Sequence, residues 1–390
     1  MPKVDVPILL QIDPWLRAKR LVMKIGILTH YDVNNMGAQL QLWAMYRHLE
    51  RLGHEPSVLT YKKNYDFVPE LERRNQITLA SVPYILKNYL WAKGFGLTWH
   101  NVRKYQTLKN FRLRILRHTP HDTANIDAAI VGADEVFSLE LGINKMMFGH
   151  GVSTKNMIAY APSVGQTDMA RIDHFDCREI MASGLKEFKS LSARDNSTQH
   201  IIEELTGRRA EIVCDPALLY DFPLEEYSLP KGTPSGDYVV VYSYDARLNS
   251  QDEVEAIKKF AKNHGLKTLS VGTYHKWCDK NIACNALEWL KCISQAKMVI
   301  TDTFHGTIAA AITYRPMALT FSREVNSQKM LDLVHRLGLE SRLMSEMTLS
   351  ELERVFGKEQ NMEDISLNIN NMRLTSQEYL ESALKQVVCR

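Results

Sequence analysis

Short apolar runs alternate along the chain with segments in which apolar residues recur at helical spacing. Residues 23–29 form the first run, and residues 38–52 then read as an amphipathic helix that ends at Gly53. This alternation is typical of βαβ units, which build a parallel sheet covered by helices. Further predicted strands in the first half of the chain lie at 57–61, 127–132, 156–163, 190–193 and 211–214.

The pattern is interrupted once and then restarts. Residues 222–236 hold three prolines and two glycines, a composition typical of a linker. Beyond it, the predicted strands lie at 238–244, 268–271, 298–302 and 317–321, and the predicted helices at 251–264, 287–296, 305–313, 327–338, 348–356 and 367–388. The 390 residues are more than one hydrophobic core usually spans.

These observations predict an α/β protein with two doubly wound, Rossmann-like domains. The expected boundaries are 1–22 for an N-terminal extension, 23–222 for the first domain, 223–236 for the linker and 237–390 for the second domain with its C-terminal helices. Ligands of open α/β sheets bind beyond the carboxyl ends of the strands, so we expect the ligand in the cleft between the domains.

The composition indicates the cellular compartment of the protein and the kinds of ligand and partner to expect. The apolar run near the N-terminus is too short for a signal peptide. The six cysteines form no CxxC pair, which favours free thiols in a reducing compartment. The net charge of +3 does not indicate a nucleic-acid partner. We therefore expect a cytoplasmic protein without a metal or cofactor. The one conceivable zinc cluster matches no standard ligand spacing; it would use His275, Cys278, Cys284 and Cys292.

One segment departs from the charge balance of the rest. A predicted helical insertion at about 69–121 has no acidic residue between Glu72 and Asp122, yet it carries ten Lys and Arg residues and several aromatic ones. Such a segment suits docking on the anionic inner face of a membrane. Two alternatives are that its apolar face packs on the first sheet, or that its charges hold the diphosphate of an acceptor. The helical spacing places Arg112 off the apolar face.

Four strand-to-helix junctions hold unusual polar residues. At the first, Asn35 and Gly37 open a helix, whose free N–H groups attract anions; an asparagine-capped turn is the alternative. At the second, Gly132 lets the backbone approach closely, and the carboxylates Asp134 and Glu135 follow it. An aspartate that caps a helix is the alternative there.

The other two junctions carry an arginine and a histidine. Arg194 follows a short apolar strand and suits a bidentate grip on carboxylate or phosphate; the alternative is a salt bridge with Asp195 or Asp215. His305 opens an Ala-rich helix just after a strand that ends at Asp302. Histidine is the residue type that changes charge near neutral pH, and its position at a strand-to-helix junction favours a functional role.

Taken in order, the segments KIGILTHYDVNNMGAQLQLWAM, AAIVGADEVFS, IAYAPSVG, SARDNS, VCDPALL and ITDTFHGT resemble the polysaccharide pyruvyl transferase family. The resemblance runs from about Lys24 to Arg342. It implies a fold related to GT-B glycosyltransferases. It also implies transfer of the pyruvyl unit of phosphoenolpyruvate to two hydroxyls of one sugar, on a polysaccharide or a lipid-linked oligosaccharide. The products are a cyclic ketal and phosphate, as in exopolysaccharide or capsule biosynthesis.

The resemblance also assigns roles to residues. His305 is the implied acid/base, Asp134 stands in the family's acidic position at a strand end, and Arg194 is the implied ligand of the donor. The other implied donor-binding residues are Asn35, Gly37, Gly132, Thr303, Gly306 and Lys329.

The chain departs from the family pattern at several positions. Ala133, Glu135 and Phe137 stand where the family usually has Ser, Gln and an aromatic that is commonly Trp, and Gln328 and Lys329 stand where it often has Arg. Two other functions fit a two-domain cleft. One is a GT-B-type glycosyltransferase that uses a sugar nucleotide, and the other is a non-catalytic carbohydrate-binding protein.

Overall fold

The computed structural model describes residues 22–68, 94–321 and 327–388. The predicted extension, up to residue 21, and residues 69–93 of the predicted basic insertion lie outside the described residues.

The first half of the chain builds a parallel five-stranded sheet in the order β3-β2-β1-β4-β5. Its strands are β1 (Lys24–Leu28), β2 (Glu55–Thr60), β3 (His118–Pro120), β4 (Ala128–Val131) and β5 (Met157–Ala159). The central strand pairs on both sides, with Ile27 opposite Val58 and Ile130. Strands buried on both faces need near-continuous apolar runs, which is why the sequence pattern revealed them.

Helices cover this sheet, and a small second ladder extends it. The helices are α1 (Met36–Arg51), α2 (Phe95–Ile115), α3 (Met169–His174), α4 (Arg178–Lys186), α5 (Asn196–Thr206) and α6 (Pro216–Leu219). The short strands β6 (Ser192–Ala193) and β7 (Glu211–Ile212) pair in parallel. Each of these two strands leads directly into a helix capped by an aspartate, Asp195 for α5 and Asp215 for α6.

The second half repeats the architecture. Its five parallel strands follow the order β10-β9-β8-β11-β12, the same connectivity as in the first sheet. The strands are β8 (Tyr238–Tyr242), β9 (Lys267–Val271), β10 (Lys280–Ile282), β11 (Met298–Thr301) and β12 (Met317–Leu319). The helices are α7 (Gln251–Asn263), α8 (Ala286–Gln295), α9 (Phe304–Ile312), α10 (Ser327–Leu337), α11 (Leu349–Phe356) and α12 (Met362–Val388). The prediction of two doubly wound sheets is confirmed.

The last helix ties the two halves together. Tyr314 of the second half donates a hydrogen bond to Ser366 of α12 over 3.4 Å. Further along α12, the Tyr379 hydroxyl donates to the Ala159 carbonyl over 2.7 Å, and the Arg373 Nε donates to the Leu218 carbonyl over 2.6 Å. The boundary predicted at residues 223–236 therefore stays a prediction, since the chain crosses back over it. Within the described ranges, every helix is too short or too polar to span a membrane.

Several elements differ from the sequence-based expectation. Residues 118–120, predicted to close a helical region, form the edge strand β3, whose sequence HTP is polar and only partly buried. The strand β10 and the helices α3 and α4 were not predicted. The position predicted for Arg112 from the helical spacing, off the apolar face, was also wrong. Arg112 is buried and pairs with Asp32 over 2.7 Å, so α2 turns this guanidinium toward the fold.

Candidate active site

The carboxyl ends of the two sheets face a common cleft with a cavity volume of about 310 Å³. All four junctions singled out in the sequence contribute to its walls. They supply Asn35, Asp134, Glu135, Arg194, Thr303 and His305. The fold thus brings together polar residues that are up to 270 positions apart in the chain, as expected for parallel strands that end at one edge.

Two helices begin at the cleft. The Asn35 side chain caps α1 by accepting from Ala38 N over 3.2 Å, and the Thr303 hydroxyl caps α9 by accepting from Gly306 N over 3.0 Å. Neither helix has an acidic residue in its first turn. The positive ends of both helix dipoles therefore open toward the same space and favour an anion there.

The first turn of α1 lies directly against His305. A Cβ built at Gly37 would come within 2.1 Å of the His305 ring, so a glycine is required for this close approach. The imidazole therefore packs between the first turns of two helices, one from each half of the molecule.

A cluster of three polar side chains, of which two are buried, lies at the site. Arg194 donates from Nη1 to Asp215 Oδ2 over 3.1 Å, and His305 Nε2 lies 3.4 Å from the same carboxylate oxygen. The Asp215 side chain is 0% exposed, and its other oxygen accepts from Ala217 N over 2.9 Å. The alternative predicted for Arg194, a salt bridge with Asp215, is therefore present in the structure.

The electrostatics of this cluster favour the ionised carboxylate. Burial by itself raises the pKa of Asp215, but His305, Arg194 and the Ala217 N–H outweigh burial and hold that pKa below its ordinary value. Burial likewise opposes the charge on Arg194, and the surrounding carboxylates overcome it and raise its pKa. The Arg194 guanidinium also lies 4.6 Å from the centre of the Phe304 ring.

Asp134 is a second carboxylate at the cleft, and it is partly buried. Its backbone has φ of 74°, a left-handed conformation that aspartate tolerates better than most residues. Burial opposes its ionisation, yet the charges of His30, Arg194 and His305 hold its pKa below the ordinary value. His30 lies beside it, with Nε2 3.2 Å from the Glu135 carbonyl oxygen.

Lys329 reaches across the cleft from α10 and forms an ion pair with Glu135. The lysine side chain is 15% exposed and the glutamate side chain 25%. Both positions depart from the family pattern, and the structure shows that the two departures contact each other. The side chain of the neighbouring Gln328 lies outside the described residues.

Two of the glycines expected to bind the donor have a packing role. A Cβ at Gly132 would lie 1.9 Å from the Tyr160 carbonyl oxygen, and a Cβ at Gly306 would lie 2.2 Å from Thr301 Oγ1. The N–H of Gly306 is already bound to the Thr303 hydroxyl. Neither glycine is among the residues that line the cleft. The remaining departures, Ala133 and Phe137, are buried in the core beside the site.

Sequence reasoning missed the part played by Asp215. Its signal was present, because Asp-Pro directly after an apolar run marks a capped helix start, and VCDPALL was among the family segments. His30 was also missed. Nothing in its local sequence distinguishes it from an ordinary loop residue.

Comparison with known proteins places this site in a family. The model of the family described as polysaccharide pyruvyl transferase matches residues 35–319, which hold the residues described at this site except His30, Gln328 and Lys329. No curated protein matches the sequence.

Two solved structures are similar to this chain at low sequence identity. The UDP-GlcNAc 2-epimerase from Neisseria meningitidis bound to UDP-GlcNAc is 9% identical with a TM-score of 0.50, over 93% of this chain and 100% of that one. The S. aureus protein MnaA, in a co-structure with UDP, is 11% identical with a TM-score of 0.48, over 92% and 94% of the two chains. The family match covers more than half of the sequence and includes Arg194, Asp215 and His305, so the chain belongs to the polysaccharide pyruvyl transferase family.

Proposed function

We propose that this protein transfers the pyruvyl unit of phosphoenolpyruvate to two hydroxyls of one sugar, forming a cyclic ketal and releasing phosphate. The acceptor sugar belongs to a polysaccharide or a lipid-linked oligosaccharide. The observation that carries the proposal is the Arg194–Asp215–His305 cluster beside two converging helix starts. This arrangement joins an anion site to a side chain that can move a proton.

The donor would be held through its two anionic groups. Arg194 uses one guanidinium nitrogen on Asp215, and its buried Nε has no hydrogen-bond partner among the described residues. A buried N–H without a partner is costly, and a carboxylate or phosphate of the donor would satisfy it. The helix starts capped by Asn35 and Thr303 would supply further N–H groups to the donor, and Lys329 would supply a positive charge.

The chemistry needs one proton delivered to carbon and two hydroxyls activated. In the first step His305 protonates the methylene carbon of phosphoenolpyruvate while a sugar hydroxyl adds to the adjacent carbon and loses its proton. In the second step the other hydroxyl displaces phosphate from that carbon, which closes the ketal, and its proton leaves with the phosphate. Asp134, ionised at the cleft wall, is placed to accept a hydroxyl proton.

Donor binding tests this proposal against its two alternatives. We expect isothermal titration to show binding of phosphoenolpyruvate and none of UDP, and ¹³C-labelled phosphoenolpyruvate to give a ketal carbon signal with lipid-linked oligosaccharides. A sugar-nucleotide glycosyltransferase would reverse the binding result. A carbohydrate-binding protein without activity would bind the acceptor and release no phosphate.

We further infer that α2 contacts an anionic membrane, which would present a lipid-linked acceptor to the cleft. Its outer face exposes apolar side chains: Phe95 is 72% exposed, Trp99 56% and Leu113 62%, and the Phe95 and Trp99 rings stack. Exposed Lys109 and Arg114 lie on the same helix. Aromatic side chains at the lipid interface and basic ones near anionic headgroups both favour binding, at about 1 kcal/mol per basic residue.

Co-sedimentation with liposomes tests the membrane contact. Binding to vesicles of anionic lipid at low salt should fall when Trp99→Ser is combined with Lys109→Ser and Arg114→Ser. Arg112 is a poor choice for this experiment, because its guanidinium is buried against Asp32. Equal sedimentation of wild type and variant, or none at all, would favour the alternative in which this helix face packs within the protein.

A further inference from the structure

A second cavity of about 100 Å³ adjoins the active-site cleft. The two spaces share four wall residues, Asn35, Tyr242, Tyr244 and Thr303. The other walls of the second cavity come from Asn34 just before α1, from Lys104 of α2 and from the loops that follow β8 and β9. This cavity therefore lies between α2 and the carboxyl edge of the second sheet, within reach of the donor site.

Two polar groups on its walls have no hydrogen-bond partner among the residues that the structure describes. The Ser243 side chain is fully buried, and its hydroxyl makes no hydrogen bond with any described residue. Lys104 likewise forms no hydrogen bond or ion pair within the described ranges, and burial lowers the pKa of its amine although Asp245 opposes this. Buried polar groups in native proteins are almost always satisfied, so the Ser243 hydroxyl indicates a missing ligand, and the partly buried Lys104 lines the same cavity.

The walls suit a neutral ligand with several hydroxyls. They offer the donor Lys104, the acceptor Asp245, hydroxyls on Ser243 and Thr273 and an amide on Asn34, so the formal charges cancel. A phosphate would meet the Asp245 carboxylate and be repelled. Tyr244, 48% exposed, adds an aromatic surface at the junction with the cleft, the mixture of apolar and convergent polar groups found at small-molecule sites.

We propose that this second cavity is the subsite for the acceptor sugar, where Lys104, Ser243 and Asp245 bind hydroxyls that do not react. The proposal rests on the proposed function, since it gives the pyruvyl acceptor its place. Because Asn35 and Thr303 border both spaces, a pyranose seated here extends its remaining hydroxyls toward the donor. The three side chains would then select which sugar, and which of its hydroxyls, reaches His305.

Saturation-transfer NMR with neutral sugars tests the assignment. The probes are the methyl glycosides of glucose, galactose, mannose and N-acetylglucosamine, each added to the full protein. We expect transfer to at least one glycoside, and we expect Lys104→Met and Asp245→Asn to weaken its binding about tenfold, as for a hydrogen bond to a charged group. Lys109→Met is the matched control on the exposed side of the same helix, and it should bind the glycoside like wild type.

Ser243→Ala separates binding from a structural role. Its hydroxyl has no partner among the described residues, so the variant should unfold at the same temperature as wild type or higher, while glycoside affinity falls severalfold. A lower unfolding temperature with unchanged affinity would mean that the serine serves the fold. Titration with inorganic phosphate completes the test, because phosphate binding that depends on Lys104 would make this an anion site.

The assignment is overturned if no glycoside shows transfer to wild type, or if transfer survives in both charged-residue variants. Titration with phosphoenolpyruvate keeps this failure distinct from failure of the proposed function. Phosphoenolpyruvate should bind wild type and all three cavity variants within about twofold. A glycoside signal that depends on the cavity, in a protein that does not bind phosphoenolpyruvate, would retain the sugar subsite and reject the donor.

Discussion

Asp215→Asn should be among the most destabilising conservative substitutions in this chain. The side chain of Asp215 is 0% exposed and that of its partner Arg194 3%. The variant amide can still accept the Ala217 N–H, so the cap of α6 survives. Its NH₂ group must then face Arg194, however, and the guanidinium is left buried without its main counter-charge.

The magnitude follows from the burial of this pair. Removing one partner of a buried ion pair typically costs about 3–5 kcal/mol, because the other charge stays in a poorly solvated place. Asp134 lies near enough to Arg194 to offset part of this, so we expect about 3 kcal/mol. Urea unfolding followed by circular dichroism measures the change, and Asp173→Asn is the control. Asp173 pairs with Arg178 over 2.8 Å, but both side chains are about half exposed, so a much smaller loss of stability is expected than for Asp215→Asn.

A double-mutant cycle identifies the cause. Adding Arg194→Met to Asp215→Asn removes the stranded charge, so the double variant should lose clearly less stability than the sum of the two single losses. Strictly additive losses, or an Asp215→Asn cost no larger than that of the exposed control, would refute the account of a buried, mutually dependent pair.

Four further outcomes are expected. His305→Ala should reduce kcat for pyruvyl transfer about 10²–10⁴-fold, the usual scale for a lost general acid–base, with little change in the unfolding temperature; unchanged turnover would remove it from the mechanism. Arg194→Lys should raise KM for phosphoenolpyruvate much more than KM for the sugar, since a point charge does not replace a planar fork; a loss of acceptor affinity alone would put Arg194 on the other side of the cleft. Glu135→Gln should release Lys329 from its ion pair and tighten binding of phosphoenolpyruvate in calorimetry, and weaker binding would show that the pair itself shapes the donor site. Because the pKa of Asp215 is lowered by folding, its ionisation stabilises the protein above about pH 4, the value for an unfolded aspartate, and this contribution is lost as pH falls further. Unfolding temperatures measured from pH 3 to 7 should therefore depend less steeply on acid in Asp215→Asn than in wild type.

The sequence predicted the sheets well because buried parallel strands must be apolar on both faces. It predicted Arg194 and His305 as site residues for a related reason, since polar side chains at strand ends converge on one edge. It offered Asp215 only as an alternative partner of Arg194 and did not predict its contact with His305. Asp215 lies 90 positions before His305, and the contact exists only because α6 of the first half meets α9 of the second.

Other features that the sequence did not predict also depend on the neighbours that the fold supplies. Glu135 and Lys329 are 194 positions apart, so each reads alone as a departure from the family, whereas the fold makes them a pair. The helical spacing predicts that Arg112 lies off the apolar face, but its guanidinium is buried and pairs with Asp32, which lies in a distant loop. The strand β3 is polar because it is an edge strand, and periodicity gives little signal there.

The return of α12 to the first half has a consequence for how the protein matures during synthesis. The Ser376 hydroxyl accepts from the backbone of Cys214, the residue just before Asp215, over 2.8 Å, and Arg373 binds the carbonyl of Leu218 in α6. The loop that carries the central carboxylate is thus held by the last helix of the chain. While ribosomes are still translating the second half, the first sheet can fold, but Asp215 lacks this support. The active site is completed only when α12 has emerged and docked.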